Sequence, residues 1–153
     1  MTFQLAQCNV VKLKAPLDSP VVASFVAALD PINALADSSP GFVWRLKTDE
    51  GDATSIRVFA DDQILLNMSV WESIESLADF VYRSGHKDVL RQRRQWADRF
   101  DGVQSAMWWI RAGTIPEPFD AVARLECLER DGPSEYAFTF LTPFDAPTED
   151  ASL

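Results

Sequence analysis

Residues 64–73 read Ile64-Leu-Leu-Asn67-Met-Ser69-Val-Trp71-Glu-Ser73. The run is long and apolar, with two polar side chains set into it. Successive strand residues point to opposite faces, so Asn67, Ser69 and Trp71 share one face and Leu66, Met68 and Val70 the other. A polar Asn and Ser within such a strand need hydrogen-bond partners if they are buried. Ser73 is placed to cap a helix through Tyr82, with Glu75 and Ser76 behind it, short of a full capping box.

Working outward, residues 3–13 alternate as a second strand, with Phe3, Leu5, Gln7 and Asn9 on one side. Pro20 starts a helix capped by Ser19, with Val21, Val22, Phe25, Val26 and Leu29 at helical spacing. Asp30-Pro31 interrupts it and a further turn runs to about Asp37. Phe42 to Lys47 reads as a strand, Asp49 to Asp52 as a turn and Ser55 to Phe59 as its return. After Gly85, Lys87 to Phe100 reads as a helix and Ala106 to Arg111 as a strand. Pro118 opens a helix to about Arg130, closed by Gly132, and Tyr136 to Leu141 reads as a last strand. The order predicts an α+β fold, a ferredoxin-like core with an additional helix and strand. Residues 1–144 read as one domain and 145–153 as a loose acidic tail. One face of the sheet is expected to stay open and apolar, and a sheet-to-sheet homodimer would cover it.

The 153 residues suit a single domain. One histidine, His86, leaves no His-pair metal site, and Cys8 and Cys127 are too far apart for a clip, so no metal is expected. The six glycines are too scattered for a phosphate-cradling loop. The net charge of −9 disfavours nucleic acid. Residues 83–99 alone are basic, which reads as internal ion pairing or a solvated face before it reads as an anion site. The longest apolar stretch, Val21 to Leu29, is far below the ~20 residues of a membrane span. With no leader pattern at Met1 and two unpaired cysteines, a cytoplasmic location and no membrane association are expected.

The run from Asn67 through Trp71 to Ser73, with Leu77, Phe80 and Gly85-His86, resembles the dimeric α/β-barrel superfamily, which includes the antibiotic-biosynthesis monooxygenases. More closely, residues 3–145 resemble the bacterial domain-of-unknown-function family 3291 of that superfamily. The matching stretches include Asp30-Pro-Ile-Asn33, Ser39-Pro-Gly-Phe-Val-Trp-Arg-Leu46, Ser69-Val-Trp-Glu-Ser73, Trp108-Trp109 and Ala137-Phe-Thr-Phe140. The resemblance implies the fold of a dimeric α/β barrel and leaves the chemistry open. In cofactor-independent monooxygenases of the superfamily an Asn and a Trp at this spacing flank the substrate. Carried onto this chain, Asn67 would hold an oxyanion and Trp71 would place the substrate. The competing reading has Asn67 bonding backbone and Trp71 filling the core.

Helical spacing from residue 86 onward places His86 and Arg93 on the apolar side of their helix. His86 as acid/base and Arg93 as a cation for an anionic group are candidate roles. The superfamily resemblance adds a second role for His86, axial ligation of haem; the alternative is a capping or core histidine. Ser69 and the tryptophans Trp44, Trp96, Trp108 and Trp109 are candidates for lining a planar aromatic ligand, against ordinary core packing. Trp108 and Trp109 are adjacent and must face opposite sides of their strand, one toward the helices and one toward the dimer sheet. Three readings follow: a cofactor-free oxygenase acting on a planar aromatic or polyketide-type molecule, a haem protein, and a non-catalytic binding dimer.

Overall fold

The computed structural model describes residues 3–47, 64–83, 93–98 and 102–147, excepting the side chains of Arg83, Arg93 and Arg94. Its elements are β1 (Phe3–Leu13), a 3₁₀ turn (Pro20–Val22), α1 (Ala23–Asp37), β2 (Phe42–Arg45), β3 (Ile64–Trp71), α2 (Ile74–Arg83), α3 (Arg93–Trp96), β4 (Ala97–Asp98), β5 (Ser105–Arg111) and α4 (Pro118–Asp131). The sheet is antiparallel throughout, ordered β2-β3-β1, with β4 and β5 both pairing the far edge of β1. Reading β1, β2, β3 and β5 as the core gives the ferredoxin-like order, and the α+β expectation holds.

Cross-strand register sorts the side chains into two faces. On one, Ala6, Cys8, Val10, Leu66, Met68 and Val70 are at most 2% exposed. They pack with Ala106, Trp108 and Ala137 against Ala121, Leu125 and Leu128 of α4. Those three α4 residues follow the spacing of a single helical stripe. The face expected to stay open for a second copy is therefore covered from within the chain. A sheet-to-sheet dimer across it would have to displace α4, and with it the burial of Leu125 and Leu128, about 1.5–3 kcal/mol for each leucine.

The other face looks toward α1 and α2. Its lower end is closed by Leu5, Trp71, Leu77, Met107 and Phe138, and its upper end by Leu13, Val22, Leu65 and Trp96. Between these clusters the sheet and α1 stand apart. Pro20–Asp37 is long and apolar enough to cross a membrane by length and composition, a test that core helices also pass. Within this fold the inward stripe of α1 (Phe25, Ala28, Leu29, Ile32, Asn33, Ala36) faces the gap above the sheet.

Three element boundaries differ from the sequence expectation. Helix α1 runs through Pro31 without a break. Pro31 is exposed, so the ring costs a backbone hydrogen bond without disturbing packing. The helix expected over 87–100 ends at Trp96, because the edge of β1 takes Ala97 and Asp98 opposite Leu13 and Lys12. Segment 136–141 is no continuous strand: Phe138 exchanges backbone bonds with Met107 at 2.7 and 2.9 Å, and residues 139–142 then turn back on themselves. The turn expected at 49–52, the return strand at 55–59 and the break at Gly85 lie outside the described residues.

Local chemistry fixes where α2 begins. Ser76 N donates to Ser73 Oγ at 3.1 Å, and Ser73 N donates to Ser76 Oγ at 3.2 Å. Ser76 thus takes the part that Glu plays in a capping box. Gly41 lies directly against this cap with φ +84°, its carbonyl accepting from Glu72 N at 2.8 Å.

Candidate functional site

The gap between sheet and helices is a cavity of about 510 Å³. Its floor is built by register. Asn67 of β3 lies opposite Asn9 of β1, which lies opposite Ser105 of β5. The next row on the same face runs Arg45, Ser69, Gln7, Met107 across β2, β3, β1 and β5. Two polar rows thus cross the sheet between apolar ends. The roof is mostly apolar and comes from α1, from Leu77, Phe80 and Val81 of α2, and from Trp96 and Phe140, with Asn33 and Tyr82 as its polar members.

Ser69 is the hub of the floor. Its Oγ accepts from Gln7 Nε2 at 2.6 Å and from the indole N–H of Trp71 at 2.8 Å. Both lone pairs are then used, and the hydroxyl proton remains to be given. Turning the Gln7 amide over would let Ser69 donate to it and would free an amide N–H instead. In either arrangement at least one donor is left over beside the cavity. Asn67 is exposed and Asn9 half-buried, and neither amide hydrogen-bonds to the described protein.

Trp71 is fully buried. Its ring stacks on Phe80 at 5.2 Å between centroids and meets Phe42 edge-on at 5.5 Å. With its N–H committed to Ser69, Trp71 contributes a fixed wall and no polar contact. Trp96 closes the opposite end, tilted against Phe25 at 4.7 Å. Arg45 lines the cavity and is held by Asp37, Nε to Oδ1 at 2.8 Å and a second guanidinium nitrogen to Oδ2 at 3.3 Å. Cys8 turns its side chain into the core under α4, where burial pushes the thiol up to about 12 and takes it out of any nucleophilic role.

The structure brings Asn67, Ser69, Trp71 and Trp96 to one cavity and sends three other expected lining residues elsewhere. Trp44 faces the α4 side, because a register shift between Phe42 and Trp44 reverses its parity and turns Arg45 into the cavity instead. Trp108 also faces α4, where the Arg124 guanidinium lies 5.3 Å from its ring and 3.7 Å from that of Tyr136. One ring of the Trp108-Trp109 pair was expected toward the helices and the other toward a dimer sheet; Trp108 meets helix α4. Trp109 shares the cavity face but packs at its lower end, its N–H bound to the Phe144 carbonyl at 2.8 Å. His86 lies outside the described residues. Arg93 opens α3, and its side chain is likewise not described. Gln7, Asn9, Arg45 and Ser105 were not anticipated as site residues, although alternation in residues 3–13 already put Gln7 and Asn9 on one face. No group of metal-binding side chains occurs among the described residues.

Comparison with curated proteins found no match. Among solved structures the chain is similar to SnoaB, a cofactor-independent oxygenase from Streptomyces nogalater, at 17% identity and TM-score 0.48, covering 76% of this chain and 100% of that one. It is also similar to PA3566 from Pseudomonas aeruginosa at 11% identity and TM-score 0.49, covering 74% and 98%. A third likeness is to NE2512, a protein of unknown function from Nitrosomonas europaea, at 12% identity and TM-score 0.46, covering 76% and 96%. With the pattern described as domain of unknown function DUF3291 matching residues 4–152, the chain belongs to that family.

Proposed function

We propose that this protein binds a planar aromatic or polyketide-type small molecule between its sheet and its helices, and oxidises it with molecular oxygen without a bound cofactor. The observation that carries this reading is the cavity itself, which joins Asn67, Ser69 and Trp71 on one floor beneath a mostly apolar roof. The spacing of Asn67 and Trp71 supports it through the resemblance to cofactor-free monooxygenases. The overall change would convert a CH₂ flanked by activating groups into C=O, with one O₂ consumed and one H₂O released. The substrate first gives a proton to solvent water to become an enolate or phenolate. Asn67 offers an amide N–H to that oxygen, and a donor held in place by the sheet stabilises the developing negative charge. Trp71 and Phe80 hold the ring plane.

Oxygen uptake on a panel of anthrones and phenols tests the reading. Wild-type protein is expected to consume oxygen, and Asn67→Ala to lose about 10²-fold in rate. Full activity in Asn67→Ala would sink this mechanism.

A binding role without turnover is the second reading. It is favoured by the described lining, which holds no carboxylate to take the substrate proton. Saturable ligand binding with no oxygen uptake would establish it. A Soret band on hemin titration, lost in His86→Ala, is the outcome that would bring haem forward.

A further inference from the structure

The row Asn67–Asn9–Ser105 goes further than the role given to Asn67 alone. The three side chains sit side by side on adjacent strands, line the cavity, and form no hydrogen bond with the described protein. Asn9 is the middle member, so its amide has a polar neighbour on each flank. Cross-strand neighbours lie about 5 Å apart, so two adjacent members of the row stand about as far apart as the long edge of a fused two-ring system. The row behind it, Ser69 with Gln7, is also uncharged, and Arg45 beside it is engaged by Asp37. Among the described residues, an anion placed here would give up hydration without gaining a free cation. An Asn amide instead presents a donor and an acceptor together, and pairs in two places with an edge that does the same.

Building on the ligand-binding reading above, we infer that this row recognises a neutral planar ligand with an adjacent donor and acceptor on one edge, as in a lactam, and that Asn9 and Ser105 determine this specificity. Three bicyclic probes separate the possibilities by titration calorimetry on the full chain: 2-quinolone (donor and acceptor edge), quinoline (acceptor only) and 2-naphthoate (anion). 2-Quinolone is expected to bind at least about tenfold more tightly than either of the others, the discrimination typical of one two-point pair. Asn9→Asp keeps the shape and removes the N–H donor; it is expected to lower 2-quinolone affinity about tenfold and to leave quinoline within about threefold. Ser105→Ala, the mildest change in the row, is expected to shift the same ratio in the same direction, and thermal melts confirm that both variants fold. An unchanged ratio in both folded variants would overturn the inference while leaving the cavity as a ligand site. Tightest binding of 2-naphthoate would overturn it too. Absence of binding by all three probes to wild-type protein would remove the ligand-binding reading and this inference together.

Discussion

Gln7 on β1 and Ser69 on β3 stand directly opposite each other and are joined side chain to side chain at 2.6 Å. The same serine oxygen accepts the Trp71 indole N–H at 2.8 Å, so one hydroxyl orients an amide and an indole. Removing it leaves a buried N–H without a partner. Ser69→Ala is expected to cost about 1–3 kcal/mol of folding stability, read from urea denaturation followed by tryptophan fluorescence. A cost below about 0.5 kcal/mol would mean that the indole finds another acceptor.

Leu125 is the middle residue of the α4 stripe against the sheet. Leu125→Ala is expected to cost about 2–5 kcal/mol, as for other buried leucines. Leu125→Asp should undock the helix and expose the apolar face of β1 and β3, giving concentration-dependent association in light scattering. If the wild type already associates and Leu125→Asp leaves that unchanged, the copies meet on another surface.

The two cysteines should differ sharply in reactivity. Cys8 is completely buried, while Cys127 is half-buried on α4 with its thiol 3.7 Å from Asp131. A thiol reagent at pH 8 is expected to label one cysteine per native chain and both in denaturant. Burial raises the Cys8 thiol from its ordinary 9.0 to about 12. Above pH 9 the unfolded chain releases this proton and the folded chain retains it. The Cys8 contribution to stability is therefore complete below pH 9 and is lost as pH climbs toward 12. Cys8→Ala should flatten that part of the stability profile.

Gly41 joins α1 to β2 at φ +84°, and a Cβ there would collide with the side chain of Ser76. Gly41→Ala is expected to cost more than about 1 kcal/mol through the backbone alone. It should also push Ser76 out of its cap and so move Leu77, Phe80 and Val81 over the cavity. A melt combined with probe titration checks both effects. Unchanged ligand affinity in a destabilised Gly41→Ala protein would show that the start of α2 does not set the roof.

Period-two alternation was enough to group Asn67, Ser69 and Trp71, because it needs only one strand. It could not supply Asn9 and Ser105, because register between strands is a tertiary property that spacing within β1 and β5 does not contain. Trp44 shows the other limit. One irregularity in a four-residue strand reverses every later side chain, and nothing in Phe42-Val-Trp-Arg45 announces it. The pair Trp108-Trp109 was bound to split between faces, but only the docking of α4 decides what each ring meets. Helical periodicity likewise marked α4 without revealing which surface it would cover. The sequence expectation gave that surface to a second copy.

The floor and the roof of the cavity are built on different principles. The floor lies in the middle of a hydrogen-bonded sheet, where moving one strand breaks the register of its neighbours. The roof helix α1 has a single buried residue, Ala36, and a proline at its centre. A guest is therefore judged strictly on the pattern of its polar edge and leniently on its bulk, so a series of homologues that grows on the α1 side should lose affinity slowly, while moving one heteroatom on the sheet side should cost at least about tenfold in one step.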